Sequence, residues 1–346
     1  MEKKEYRISS LSLVVTKKCN LRCEMCTRDA KTDNQETMSV GFIERIIDQA
    51  LLFDSLQRIN ITGGEAFLHP HLEEIINNIT RNGLEIRINT NGLFFTDSNI
   101  KMLNKYNVKL FTISLDSAVA EVHDKIRGVD GCYEKTVENL KRIKQEGYCF
   151  FVKATANENN VDTLFDLMKM VEKIGAYGFS IGRTIPVGRA SSNRHINWDF
   201  WRKYSEIGRK CSEYAMHSNM KFLIDDPLRH FFDERIKRIL EANPTVDISM
   251  IRSGCTAGNN FLYILPNGDV LACPALTKAV GNVYCNTLKD IWLHSEVLNT
   301  IRDRDRLKGT CGHCSYKYAC GGCRAYGYAI SGDVLATDSL CPRAIL

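Results

Sequence analysis

Cys19, Cys23 and Cys26 stand in the run Thr16-Lys17-Lys18-Cys19-Asn20-Leu21-Arg22-Cys23-Glu24-Met25-Cys26, directly after the apolar stretch Leu11 to Val15. The spacing C-x3-C-x2-C offers three thiolates to a cubane of four irons. The iron left without a protein ligand can bind a small molecule and pass it an electron. The alternative is a structural zinc site or buried thiols, but zinc would want a fourth Cys or His nearby, and none lies between Cys26 and His69. Other residues suited to a small ligand follow. Gly63 and Gly64 in Thr62-Gly63-Gly64-Glu65 let backbone approach closely, and Glu65 can accept hydrogen bonds from an ammonium group. Asn91 in Asn89-Thr90-Asn91-Gly92, and Ser114 and Asp116 in Ser114-Leu115-Asp116, are short polar groups suited to a ribose or carboxylate, or to plain caps and turns. Arg127, in His123-Asp124-Lys125-Ile126-Arg127-Gly128, can grip a carboxylate bidentately.

A second array lies towards the C-terminus: Cys255, Cys273, Cys311-x2-Cys314-x5-Cys320-x2-Cys323 and Cys341. Seven soft ligands exceed one tetrahedral ion, so at least two metal centres are implied. Cys132, Cys149 and Cys211 fall in expected loop, strand and helix and read as structural thiols.

These residues need elements to position them. Short β-branched runs alternate with amphipathic stretches from Leu11 to about Arg183, the pattern of repeated βα units. Strands are expected at Leu11–Thr16, Arg58–Thr62, Glu85–Asn89, Lys109–Leu115, Cys149–Ala156 and Tyr177–Gly182. Helices are expected at Val40–Phe53, Leu72–Asn82, Asp97–Tyr106, Tyr133–Glu146 and Val161–Ile174. The class is α/β, a (β/α)6 partial TIM barrel with a loop-rich C-terminal metal-binding domain. Loops at the C-terminal ends of such strands gather the chemistry, and Cys19 to Cys26 follow the first strand. Trp198 to Leu240 reads as two helices around a short strand, Lys221–Ile224, with a polar linker from Glu241 to Ser253 and a boundary near Ile248. Phe261 to Cys273 reads as a hairpin whose turn, Pro266-Asn267-Gly268-Asp269, uses Gly268 for a positive φ. The expected division is 1–190 for the barrel, 191–249 for a bridging helical region and 250–346 for the cysteine-rich domain.

The chain has 346 residues, 44% hydrophobic and 25% charged, enough for a large core. Its charged N-terminus is followed by too few apolar residues for a signal peptide or membrane span, so a cytoplasmic protein with no membrane partner is expected. Fourteen cysteines in a reducing compartment read as metal ligands rather than disulfides. The net charge of +5 is spread along the chain and gives no sign of a nucleic-acid partner.

The three-cysteine loop, the Gly-Gly-Glu element, Ser-Leu-Asp and the segment around Arg127 together resemble the radical S-adenosylmethionine (SAM) enzymes. The resemblance implies that Cys19, Cys23 and Cys26 hold a [4Fe-4S] cluster whose open iron chelates SAM. Reductive cleavage then gives a 5′-deoxyadenosyl radical. It implies that Gly63, Gly64 and Glu65 hold the methionyl amino group, that Asn91, Ser114 and Asp116 line the SAM site, that Arg127 lies near the SAM carboxylate, and that Met25 packs beside the adenine where an aromatic is commoner. Ala66 replaces the usual proline after Gly-Gly-Glu. The segment Pro186-Val187-Gly188-Arg189 is similar to one following the last barrel strand in maturases of this kind; a cofactor or substrate contact for Arg183 or Arg189 is one reading and a simple loop the other.

The C-terminal array, with Cys320-Gly321-Gly322-Cys323-Arg324-Ala325 and Gly332-Asp333, resembles the SPASM domain, which binds two auxiliary iron–sulfur clusters, so the resemblance makes the loop-rich C-terminal domain an iron–sulfur (SPASM) domain. It departs by a two-residue gap between Cys320 and Cys323. By position, Cys311, Cys314, Cys320 and Cys341 would hold the distal cluster and Cys255, Cys273 and Cys323 the proximal one, leaving an open iron, a non-cysteine ligand or Cys285. The implied substrate is a ribosomally made peptide or protein that is crosslinked or oxidised; only ten residues precede the first strand, so no fused leader-binding domain is expected, which weakens the peptide reading without excluding a separate one. Oxidative tailoring or decarboxylation of a tetrapyrrole is the alternative, and a non-enzymatic zinc-binding module the alternative of another class. A flavodoxin or ferredoxin-type protein is the expected electron donor.

Overall fold

The structure, a computed structural model, describes residues 6–192, 197–242 and 254–344. The expected boundary at Ile248 and most of the linker before Ser253 lie outside the described residues. Ten strands form in chain order: β1 Ser10–Thr16, β2 Arg58–Gly63, β3 Glu85–Thr90, β4 Leu110–Ser114, β5 Cys149–Ala156, β6 Gly178–Arg183, β7 Lys221–Ile224, β8 Phe261–Ile264, β9 Asp269–Leu271 and β10 Ala279–Asn282. The helices are α1 Val40–Ala50, α2 Leu72–Arg81, α3 Asp97–Lys105, α4 Ala120–Arg127, α5 Cys132–Gln145, α6 Leu164–Ile174, α7 Trp198–Ala215, α8 Glu234–Ala242, α9 Leu288–His294, α10 Glu296–Arg302, α11 Gly309–His313 and α12 Arg324–Ser331. The six expected strands and five expected helices are all present, within a few residues at their ends. The short α4 carries Arg127 and was not expected as a helix.

By contacts the chain falls into two compact units. The first holds 1–22, 28–112 and 256–302; the second holds 23–27, 113–255 and 303–346.

In the first unit the strand order is β10-β9-β8-β1-β2-β3. β1 pairs parallel with β2, and β2 with β3, as βα repetition requires. β8 also pairs parallel with β1, Ser10 opposite Phe261 and Leu13 opposite Ile264. The strand expected within a separate C-terminal domain therefore extends the sheet of the N-terminal strands. β8 returns through β9 in an antiparallel hairpin, with Gly268 at φ +84 in the turn. β1 is buried at every position after Ser10, as a strand covered on both faces must be. α1 packs its stripe of Phe42, Ile43, Ile46, Ile47 and Ala50 inward, and Ser39 caps it by accepting the Phe42 N–H.

The second unit runs β4-β5-β6-β7, with β5–β6 and β6–β7 parallel. β7 is the short strand expected at Lys221–Ile224, and it joins the sheet beside β6. β6 is buried throughout, and α6 covers the unit's sheet with Leu164, Leu167, Met168 and Val171. Each such buried side chain contributes roughly 1.5–3 kcal/mol. Among the described residues, no helix is long and apolar enough to cross a membrane.

Candidate active site

The loop after β1 begins in the first unit, and its main chain is pinned at Cys19. The Cys19 N–H donates to the Lys31 carbonyl at 2.9 Å. Thr32 Oγ1 donates to the Cys19 carbonyl at 3.1 Å, and the Leu21 N–H points at Cys19 Sγ at 3.4 Å. The end of β2 crosses this loop directly. Gly64 N–H donates to the Thr16 carbonyl at 2.8 Å and Glu65 N–H to the Lys18 carbonyl at 2.9 Å. A Cβ on Gly63 would collide with the Thr16 carbonyl, and one on Gly64 with the Lys18 carbonyl. Both glycines are therefore required by main-chain packing beside Cys19.

Glu65 is fully buried. Its Oε1 accepts from Thr90 Oγ1 at 2.8 Å and the Phe67 N–H at 3.2 Å, and Oε2 accepts from the Asn91 N–H at 2.8 Å. The carboxylate ties the ends of β2 and β3 together. Asn91 Nδ2 in turn donates to Asn20 Oδ1 at 2.8 Å, next to Cys19. In the same unit, Arg28 donates to the carbonyl of Pro274, beside the half-buried Cys273. Cys285 is exposed.

The second unit holds Cys23, Met25 and Cys26. Glu24 N–H donates to the Ile126 carbonyl at 3.0 Å, which sets the loop against α4. Arg127 Nη1 lies 3.6 Å from Cys23 Sγ, and its Nη2 pairs with Asp116 Oδ2 at 2.6 Å. Asp116 is also held by the Thr155 N–H on Oδ1, 2.8 Å, and its own N–H donates to His123 Nδ1 at 3.1 Å. Burial pushes the Cys23 thiol and the Asp116 carboxyl up, against the pull of Arg127. Burial also works against the Arg127 charge, but Asp116 and Cys23 hold its pKa above the usual range. Ser114 is half-buried at the end of β4, and Met25 is buried.

The segment after β6 clamps the same loop. Arg189 Nε donates to the Cys23 carbonyl at 2.7 Å and its N–H to the Cys26 carbonyl at 3.0 Å. Gly188, at φ +60, leaves no room for a Cβ against the Cys26 carbonyl. Arg183 Nε pairs with Asp226 at 3.0 Å and Nη2 with Asp338, while its Nη1 is buried without a hydrogen-bond partner. Asp338 Oδ2 accepts the Cys323 N–H at 2.9 Å. Burial pushes the Asp226 carboxyl up to about 6. Arg183 is thus a buried ionic tie between Asp226 and Asp338. Sequence reasoning missed both clamps, since only the Pro-x-Gly-Arg run hinted at them.

In the second unit Cys311, Cys314, Cys320 and Cys341 line one cavity beside His230 and Tyr316. A Cβ on Gly322 would come within 3.1 Å of Cys311 Sγ. Burial raises the Cys320 thiol to about 12 and the Cys341 thiol upward, and the neighbouring thiolates add to both. The Cys255 N–H donates to the Cys320 carbonyl at 3.0 Å, which seats Cys255 at the same turn. None of the fourteen cysteines forms a disulfide. Four soft donors around one cavity fit an iron–sulfur cluster, which deprotonates its ligands on binding. Cys211 is wholly buried in α7, and Cys132 donates to Asp124 Oδ1, consistent with structural thiols.

An AdoMet-dependent heme synthase of Oleidesulfovibrio alaskensis is 30% identical over 342 residues, covering 94% of this chain and 85% of its own length. Residues 13–156 match the family described as the Radical SAM superfamily. The chain belongs to the radical SAM superfamily. Residues 255–315 match the iron–sulfur cluster-binding SPASM domain. A heme synthase of Methanosarcina barkeri is 29% identical, covering 94% of both chains. The subtilosin biosynthesis protein AlbA of Bacillus subtilis is 28% identical over 90% of this chain and 66% of its own. The fold matches Streptococcus suis SuiB bound to S-adenosylmethionine with a TM-score of 0.75, at 19% identity over 97% of this chain and 78% of that one. The protein is therefore a radical SAM enzyme of the maturase and tailoring kind, with SAM and iron–sulfur clusters as cofactors. The zinc-module alternative falls with that membership.

Proposed function

We propose that this radical SAM enzyme oxidatively tailors a tetrapyrrole, acting on a side chain that bears a carboxylate. The reading is carried by the match to AdoMet-dependent heme synthases, which runs over nearly the whole of this chain and, in one case, of the relative. It reverses the order expected from sequence, in which a peptide came first. A peptide or protein substrate is the second reading, favoured by the likeness to AlbA and to the mycofactocin maturase MftC of Mycolicibacterium smegmatis.

Cys19, Cys23 and Cys26 are the proposed ligands of the catalytic cluster, with Lys31 and Arg189 holding their loop. Gly63, Gly64, Glu65, Asn91, Ser114, Asp116, Arg127 and Met25 are the proposed surroundings of SAM. For Glu65, Asp116 and Arg127 this means a positioning task as well, because their present partners are protein groups. When bound, the cluster and SAM supply a radical able to abstract hydrogen from an unactivated carbon. Cys311, Cys314, Cys320 and Cys341 would hold one auxiliary cluster, and Cys255, Cys273 and Cys323 three ligands of another. A flavodoxin or ferredoxin-type protein would deliver the electron.

The test is anaerobic turnover of reconstituted protein with SAM, dithionite and a panel of carboxylate-bearing iron tetrapyrroles. About twelve irons per chain, the content of three cubanes, and 5′-deoxyadenosine that rises with one tetrapyrrole as carbon dioxide is lost, are the expected results. Cys23→Ala should lose SAM cleavage and keep the other clusters. Indifference to every tetrapyrrole, with turnover of a short peptide encoded beside the gene, would establish the second reading instead.

A further inference from the structure

Two arginines reach the sulfurs of the four-cysteine cavity. Arg324 Nη2 lies 3.8 Å from Cys311 Sγ, and Arg343 Nη1 lies 3.7 Å from Cys314 Sγ. Arg324 is 0% exposed. Its Nη1 donates to the carbonyls of Val334 at 3.1 Å and Ala336 at 2.8 Å, and its Nε is buried without a partner. Arg343 lies over the Tyr316 ring at 4.4 Å, and Tyr316 stacks on His230 at 5.2 Å. Among the described residues, neither guanidinium pairs with a carboxylate. The carboxylates of this region pair directly with other cations, Asp338 with Arg183 and Asp333 with Lys308, although the Arg324 charge also lowers the Asp333 carboxyl.

A fully buried cation with no direct ion pair is costly, because its charge has lost water, and Asp333 acts on Arg324 only from beyond hydrogen-bond distance. Four thiolates holding a cluster are the anion that would face both arginines. A positive charge close to a cluster favours its reduced form, and N–H donors to the sulfurs act in the same direction.

We propose that Arg324 and Arg343 are positioning residues that raise the reduction potential of a cluster held by Cys311, Cys314, Cys320 and Cys341, making it an electron acceptor. The inference rests on the reading that these four cysteines carry a cluster. It concerns a one-electron equilibrium only, with no bond made or broken.

The experiment is an EPR-monitored redox titration of reconstituted holoenzyme, with iron and sulfide assayed on the same samples. Cys314→Ser identifies the signal belonging to this site by its loss or change. In Arg343→Gln that signal should move to a more negative potential while iron content and the other signals stay. Arg343→Lys, which keeps the charge, should restore part of the shift. Arg324→Lys is the second variant: it keeps a cation in the buried position but removes the Nη2 donor to Cys311 Sγ, so the signal should move to a more negative potential by less than in Arg343→Gln. Iron content and every signal intact in Cys314→Ser would sink the ligand assignment and the proposal together. A signal that responds to Cys314→Ser but is unmoved in both Arg343→Gln and Arg324→Lys would overturn the proposal alone.

Discussion

Arg189 Nε donates to the carbonyl of Cys23 across 2.7 Å, joining residues 166 positions apart. With its N–H on the Cys26 carbonyl, one residue holds the main chain at two of the three cysteines in the loop. A charged donor on a carbonyl contributes about 1.5–3 kcal/mol. Arg189→Ala should therefore lose iron from the catalytic cluster roughly tenfold or more faster under a chelator. SAM cleavage should fall in step, and the auxiliary clusters should persist. Iron loss at the unchanged rate would show that the clamp is dispensable.

Gly64 makes a second test because the obstacle to a side chain there is backbone. Its Cβ would meet the carbonyl oxygens of Lys17 and Lys18, which cannot rotate aside as a flexible side chain could. Gly64→Ala should displace the loop next to Cys19 and cost at least about 2 kcal/mol, within the range for overpacking. Thermal unfolding and iron content of the reconstituted protein both report on this. An alanine variant with wild-type melting and full iron would contradict the packing argument.

His123 gives the chain a pH dependence. Burial, reinforced by Arg127, lowers its pKa from 6.5 to about 3, so the folded protein holds it neutral with Nδ1 accepting the Asp116 N–H. The unfolded chain binds the extra proton first as pH falls below 6.5. Stability from this group is complete above that value and is lost as pH drops towards 3. Between pH 6.5 and 4.5 the loss is at most about 3 kcal/mol, at roughly 1.4 kcal/mol per unit. His123→Asn keeps an acceptor and removes the titration. Denaturant melts at pH 7 and 4.5 should differ less for the variant than for the wild type; an equal difference would mean that His123 does not titrate on unfolding.

The strands β1 to β6 and the positions of the cysteine loop, Gly-Gly-Glu and Ser-Leu-Asp at strand ends were legible because each depends on local periodicity and turn chemistry. So was the four-cysteine set later found around one cavity, since the family resemblance assigns it by position without any fold. The fates of Arg183 and Arg189 were not legible. Both stand in one short run, yet one is buried between Asp226 and Asp338 and the other holds the cysteine loop.

The sequence by itself determined the class of chemistry, through ligand type and number, and the βα framework, through alternation of periods 2 and 3.6. Only the tertiary structure decided that β8 lies parallel to β1, about 250 residues earlier, and that Arg324 and Arg343 point at sulfur without a direct ion pair to a carboxylate among the described residues. The reason is physical. Periodicity records which face of an element is buried, whereas the partner of a strand edge or of a buried charge depends on where distant segments of the chain return.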